Sequence, residues 1–131
     1  MFKVIAVITA LLCLIVVACK LEGQTISVNL TWTATGDDGM VGTATAYDLR
    51  YDLDSTALAN DFSGGTPVMG LPDPKPSGSA ESFTVVGLLP NTTYFFAIKA
   101  VDEAGNWSEI SNIVRKITPD LTSPAAITDL Q

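Results

Sequence analysis

From Ile26 onward the chain repeats with a period of two, and no other feature restricts its fold so strongly. Ile26, Val28, Leu30 and Trp32 alternate with Ser27, Asn29, Thr31 and Thr33. Successive side chains of a strand point to opposite faces, so this run predicts a strand with one apolar and one polar face. A helix would instead space its apolar residues three and four apart. The loop 35–39, Thr-Gly-Asp-Asp-Gly, ends the run by composition. Tyr47, Leu49 and Tyr51 alternate with Asp48, Arg50 and Asp52, which predicts a second strand. Residues 54–65 read as irregular, with one helical turn around 56–60. Residues 66–70 predict a short edge strand. Pro72, Pro74, Pro76 and Gly78 mark a loop that cannot donate a regular ladder. Residues 82–86 form a strand with Phe83 and Val85 on one face. Tyr94, Phe96, Ile98 and Ala100 alternate with Phe95, Ala97, Lys99 and Val101, a central strand apolar on almost both faces. Residues 102–106 make a hairpin turn with Gly105 placed for positive φ, and 111–118 are the last strand. No stretch after residue 25 reads as a convincing helix. Regular short strands separated by turn signals predict an all-β antiparallel sandwich.

Composition removes several kinds of function. The 131 residues hold one ordinary domain at most. Seven Lys and Arg stand against 14 Asp and Glu, so the chain is a poor match for nucleic-acid phosphate. There is no histidine, hence no Ser-His-Asp or Cys-His catalysis, no imidazole metal ligand and no histidine pH switch. Two cysteines do not make a disulfide scaffold. There is no Gly-rich phosphate loop, CxxC or HExxH, so no cofactor is indicated. Acid pairs serve glycoside hydrolysis only at defined separations, and scattered acids always include some pair. The expectation is a noncatalytic chain.

The amino terminus reads as an address. Met1-Phe2-Lys3 is a short basic start, and residues 4–18 are apolar except for Thr9. The run is shorter than the roughly 20 residues of a spanning helix and fits a signal-peptide core. Val16-Val17-Ala18-Cys19 resembles the lipobox of bacterial lipoproteins. That resemblance implies acylation of the Cys19 thiol and cleavage before it. Val16 departs from the leucine common at the first lipobox position, and Cys13 lies inside the apolar run. Residues 1–18 are then the leader and 19–25 a lipidated tether. Several acyl chains give stable membrane anchoring, at about 0.8 kcal/mol per buried methylene. Lys20, rather than Asp, follows the cysteine, which favours the outer membrane of a Gram-negative bacterial cell envelope.

Residues 26–118 resemble the fibronectin type III domain. Trp32 stands where that family places a core tryptophan on its second strand. Leu88-Leu89-Pro90-Asn91-Thr92-Thr93-Tyr94 is similar to the family's Leu-x-Pro-x-Thr-x-Tyr segment. The resemblance implies that Tyr94 forms a tyrosine corner, with Leu88 and Pro90 beside it. Residues 102–108 resemble a turn found in bacterial members. Another immunoglobulin-like sandwich is the alternative. The opening strand looks short or missing, since 20–25 span only about 20 Å when extended. Residues 119–124 look like a linker, and 125–130 look like the opening strand of a further domain. They could instead serve a strand-exchange partner, by adding to a neighbouring copy.

The family topology brings the loop 36–42 and the turn 102–106 to one end, away from the tether. Asp37, Asp38, Asp102 and Glu103 then share the tip. Calcium takes several oxygen ligands, yet Asp and Gly are also ordinary turn residues. Tyr47, Tyr51, Phe95 and Trp107 are the candidate exposed aromatics, Trp107 being the one placed to stack on a sugar ring. The leading expectation is a lipid-anchored module for spacing, adhesion or display. The alternative is an accessory carbohydrate- or protein-binding module split from a larger secreted enzyme.

Overall fold

The structure, a computed structural model, describes residues 26–131. The expected leader, lipidation at Cys19 and tether fall outside the described residues. The elements run β1 Ser27–Thr33, β2 Ala46–Asp52, α1 Ser55–Asn60, a 3₁₀ turn Phe62–Gly64, β3 Thr66–Pro67, β4 Ala80–Val86, β5 Thr93–Val101 and β6 Val114–Ile117. They form two antiparallel sheets, one of order β1-β4 and one of order β3-β2-β5-β6. Among the described residues no helix is long and apolar enough to cross a membrane.

The period of two explains how the sheets meet. Val28 and Leu30 of β1 and Val85 of β4 face Leu49 of β2 and Tyr94 and Phe96 of β5 in one apolar cluster. Phe96, 1% exposed, lies at its centre. Tyr51 meets Tyr94 edge-on, with ring centroids 5.4 Å apart. The outer face of the larger sheet has its own cover. Asp54 caps α1 by accepting from Thr56 N at 2.7 Å, and α1 lays the fully buried Leu58 toward the sheet. A Cβ at Gly65 would press on Leu58 Cδ1 at 2.8 Å, so a glycine stands where the chain passes it. Arg50 and Lys99 stack on the Phe62 ring, 5.5 and 5.3 Å from its centroid. That clip explains why β5 is apolar on both faces.

One pole of the sandwich is locked by the segment before β5. The Tyr94 hydroxyl accepts from Leu89 N at 3.0 Å. Thr118, buried, donates to the Leu89 carbonyl at 2.6 Å and accepts from Thr92 N at 2.9 Å. Asn91 N donates to the Pro119 carbonyl at 3.0 Å, and Leu88 N to the Ile26 carbonyl at 3.4 Å. The start of β1 and the exit of the tail therefore share this base pole.

Four expectations are corrected. A six-residue helix does form after residue 54, because Asp54 supplies the cap. The last strand begins at Val114 and not at 111. Ser108 Oγ and Ser111 Oγ accept from Ala100 N and Ile98 N, so hydroxyls replace ladder carbonyls there. Tyr47 and Tyr51 are not exposed: they lie on the inward face of β2, on either side of Leu49. Trp32 packs against the core but stays partly exposed, because no described strand covers the outer edge of β1.

This ranking sets a test by chemical denaturation. Phe96→Ala should cost about 3–5 kcal/mol, the usual range for a buried aromatic. Trp32→Ala should cost clearly less. Equal losses would contradict the partial exposure of Trp32.

Candidate functional site

The pole opposite the base is built from two loops. The hairpin after β5 is organised by one carboxylate. Asp102 Oδ1 accepts from Ala104 N at 2.9 Å and Asn106 N at 2.8 Å, while Oδ2 accepts from Asn106 Nδ2 at 2.8 Å. Gly105 takes φ +85°, which a side chain would strain. The Asn106 side-chain amide, and then its backbone N–H, hold the Asp102 carboxyl below the usual carboxylate range. Ser108 N closes the hairpin on the Ala100 carbonyl at 2.8 Å.

The loop after β1 is equally short of slack. Asp38 and Val41 exchange N–H···O bonds at 3.2 and 3.3 Å around the Gly39-Met40 turn. A Cβ at Gly36 would collide with the Val41 carbonyl, so the loop closes only over a glycine. Asp37 Oδ1 accepts from Asp38 N at 3.0 Å. Ser77 Oγ donates to the Met40 carbonyl at 2.8 Å and ties the loop to the proline-rich segment.

Together the loops enclose an open cleft of about 290 Å³, lined by Thr35, Asp37, Asp102, Asn106 and Trp107. Trp107 is 53% exposed at its rim. Met40 and Val41 also present apolar surface at this pole, and neither stood out in the sequence. The structure thus brings Asp37, Asp102 and Trp107 to one cleft. Asp38 is an exposed loop neighbour, and Glu103 is exposed on the hairpin tip. Among the described residues no group of three or more His, Cys, Asp or Glu side chains stands close enough to hold a metal. The Asp102 oxygens are taken up by their own turn. The arrangement offers a rigid concave surface with an aromatic rim rather than a reacting group.

A second cleft, of about 480 Å³, opens between β1 and the segment preceding β6. Trp32, Tyr47, Ile98 and Ser111 line it, and Thr35 joins it to the tip. Trp32 meets Tyr47 edge-on at 5.4 Å, and neither Trp32 Nε1 nor Thr35 Oγ1 has a hydrogen-bond partner. Behind them lies Glu81, only 3% exposed, opposite Trp32 on β4. Its Oε1 accepts from Lys75 N at 2.6 Å and, more weakly, from the Tyr47 hydroxyl at 3.5 Å. Burial first, and the Glu81 carboxylate with it, push the Tyr47 phenol up. Glu81 was missed in the sequence, although extending the Phe83 and Val85 parity by one step places it inward.

With this geometry in view, the comparisons are direct. The Fibronectin type III domain family matches residues 17–115. The chain belongs to that family. Among curated proteins it is similar to calcium-activated chloride channel regulator 1 of Equus caballus, 37% identical over 113 residues, 80% of this chain and 12% of that protein. The human form of that regulator is 39% identical over 93 residues, 67% of this chain and 10% of that protein. Chitinase A1 of Niallia circulans is 37% identical over 101 residues, 76% of this chain and 11% of the chitinase. The chain thus matches one domain-sized segment of much longer proteins. No solved structure matches.

Two measurements check this site. Because the folded Asp102 carboxyl is depressed, its contribution is present above the ordinary carboxylate pKa and disappears as pH falls through the lower folded value. The Asn106 amide resonance should therefore hold steady until pH drops below about 4. A midpoint above that would remove Asp102 as the organiser. Glu81→Ala should cost about 1–3 kcal/mol in denaturant unfolding, by orphaning the Lys75 amide, and Glu81→Gln should cost less. Equal losses would mean that the acceptor is not what matters.

Proposed function

We propose that the chain is a noncatalytic fibronectin type III module, held at a bacterial cell envelope by lipid on Cys19, that presents its tip pole for adhesion or display. One observation carries the reading: β1 begins at the base, and the Trp107 cleft lies at the far pole. A tether ahead of Ile26 therefore enters away from the cleft. The apolar run 4–18 ending at Ala18-Cys19 supports the anchor. Strong negative charge limits nonspecific association at a crowded surface. The test is the intact mass of the protein extracted from bacterial membranes. Acyl groups on a chain beginning at Cys19 are expected. An unmodified, water-soluble product from a host with a working lipoprotein pathway would overturn the anchor.

A second reading is an accessory carbohydrate- or protein-binding module, favoured by the match to a segment of chitinase A1 and by the exposed Trp107. Aromatic rings at a rim stack on sugar faces, and the cleft supplies polar neighbours in Asp37 and Asn106. Titration with chitin oligomers and other polysaccharides separates the two readings. Saturable binding that falls at least tenfold in Trp107→Ala would favour the second. Absence of binding would leave the tip to protein partners.

A further inference from the structure

The two tip loops carry one sign of charge. The loop 34–45 holds Asp37 and Asp38, the hairpin 102–107 holds Asp102 and Glu103, and neither contains Lys or Arg. Basic side chains of the described residues are engaged or distant. Arg50 and Lys99 stack on Phe62, and Lys75 Nζ donates to the Ala80 carbonyl at 3.0 Å and pairs with Glu81. Arg115 and Lys116 lie on β6 opposite Phe95 and Tyr94, toward the base. Among the tip acids stand three exposed apolar side chains. Met40 is 65% exposed, Val41 71% and Trp107 53%. An antiparallel bridge to Val101 fixes Trp107 at the rim of the cleft. Apolar anchors, a tryptophan among them, inside a charged rim are the make-up of a protein-binding patch. Anionic headgroups, or the tip of a second copy, would meet like charge there, whereas a basic surface is complementary.

The cleft beside Trp107 narrows the choice further. Asp37 Oδ1 accepts from Asp38 N, and a Cβ at Gly42 would collide with it, so the carboxylate is pinned against its loop. Its Oδ2 takes no hydrogen bond among the described residues. Nor does the buried Thr35 Oγ1 have a partner among them. Both residues line the cleft together with Asn106 and Trp107. An aromatic ring beside a pinned carboxylate and an unused hydroxyl suits a guanidinium. That group stacks on tryptophan and donates to oxygen from a planar fork, which an ammonium cannot do.

The geometry points to a basic segment of another protein as the ligand of the tip pole. One arginine enters the cleft between Trp107 and Asp37, and its apolar neighbours rest on Met40 and Val41. Such docking requires that the tip be the presented surface, as proposed above, and is independent of the Cys19 anchor.

Peptide titration tests this. The chain is purified as its host processes it and titrated into fluorescent Gly-Ser peptides with Arg-Leu-Arg, Lys-Leu-Lys or Glu-Leu-Glu at the centre, read by anisotropy. The arginine peptide should saturate, the lysine peptide should bind more weakly, and the glutamate peptide should not bind. Trp107→Ala and Asp37→Asn should each weaken the arginine peptide about tenfold, and Trp107→Phe less. Asp129→Asn, in the exposed tail, should change it less than about twofold, since screening limits distant charge. Should Trp107→Ala fail to fold, Asp37→Asn and Trp107→Phe still read the cleft. No saturation by the arginine peptide up to about 1 mM would overturn the proposal. So would equal losses in Asp37→Asn and Asp129→Asn, which mean diffuse attraction. Binding of chitin oligomers that depends on Trp107, with none of the arginine peptide, would replace the basic partner by a glycan and keep the tip as the presented surface. Arginine-peptide binding that ignores both Trp107 and Asp37 would remove the tip itself.

Discussion

The two sheets share no backbone ladder, so the sandwich depends on what lies between them. That layer is Val28, Leu30 and Val85 from one side and Leu49, Tyr94 and Phe96 from the other. Burying one such side chain contributes about 1.5–3 kcal/mol, and the whole layer must offset the entropy of ordering the chain. Everything functional is placed relative to it. The tip loops are rigid because they spring from strands whose inward faces are locked, and the base is rigid because Tyr94 and Thr118 bind the segment before β5.

Polar groups at the margins of this layer are handled in three different ways. Thr118 and Tyr94 are tied by hydrogen bonds to nearby backbone. Glu81 is buried but receives an amide and a hydroxyl, which spares the cost of a lone charge. Trp32 Nε1 and Thr35 Oγ1 have no partner among the described residues, and both residues line the cleft beside β1. Unsatisfied groups thus gather on the sheet that, among the described residues, has two strands against the four of its facing layer.

Much of the fold was legible because side-chain parity is a local property. Strands β1, β2, β4 and β5 were visible as alternation, and Gly105 marked the hairpin by its need for positive φ. Errors arose where a side chain replaced backbone in the ladder. Ser108 and Ser111 break β6, and no periodicity announces that substitution. Tyr47 and Tyr51 looked exposed because their neighbours are charged, yet the charged residues are the outward ones. Of the site, the tip acids and Trp107 were nameable in advance, Glu81 was within reach of the β4 parity but missed, and Met40 and Val41 carried no signal.

The amino-acid sequence by itself determined the all-β class, the turn positions, the acidic character and the family resemblance, since these follow from spacing and composition. It also placed Asp102 at the head of its hairpin. Tertiary structure alone decided that the tail and the start of β1 share a pole, that Trp107 and Asp37 border one cleft, and that β1 pairs with β4. Those facts concern which strands lie side by side. Pairing joins residues far apart in the chain, and local pattern carries no record of it.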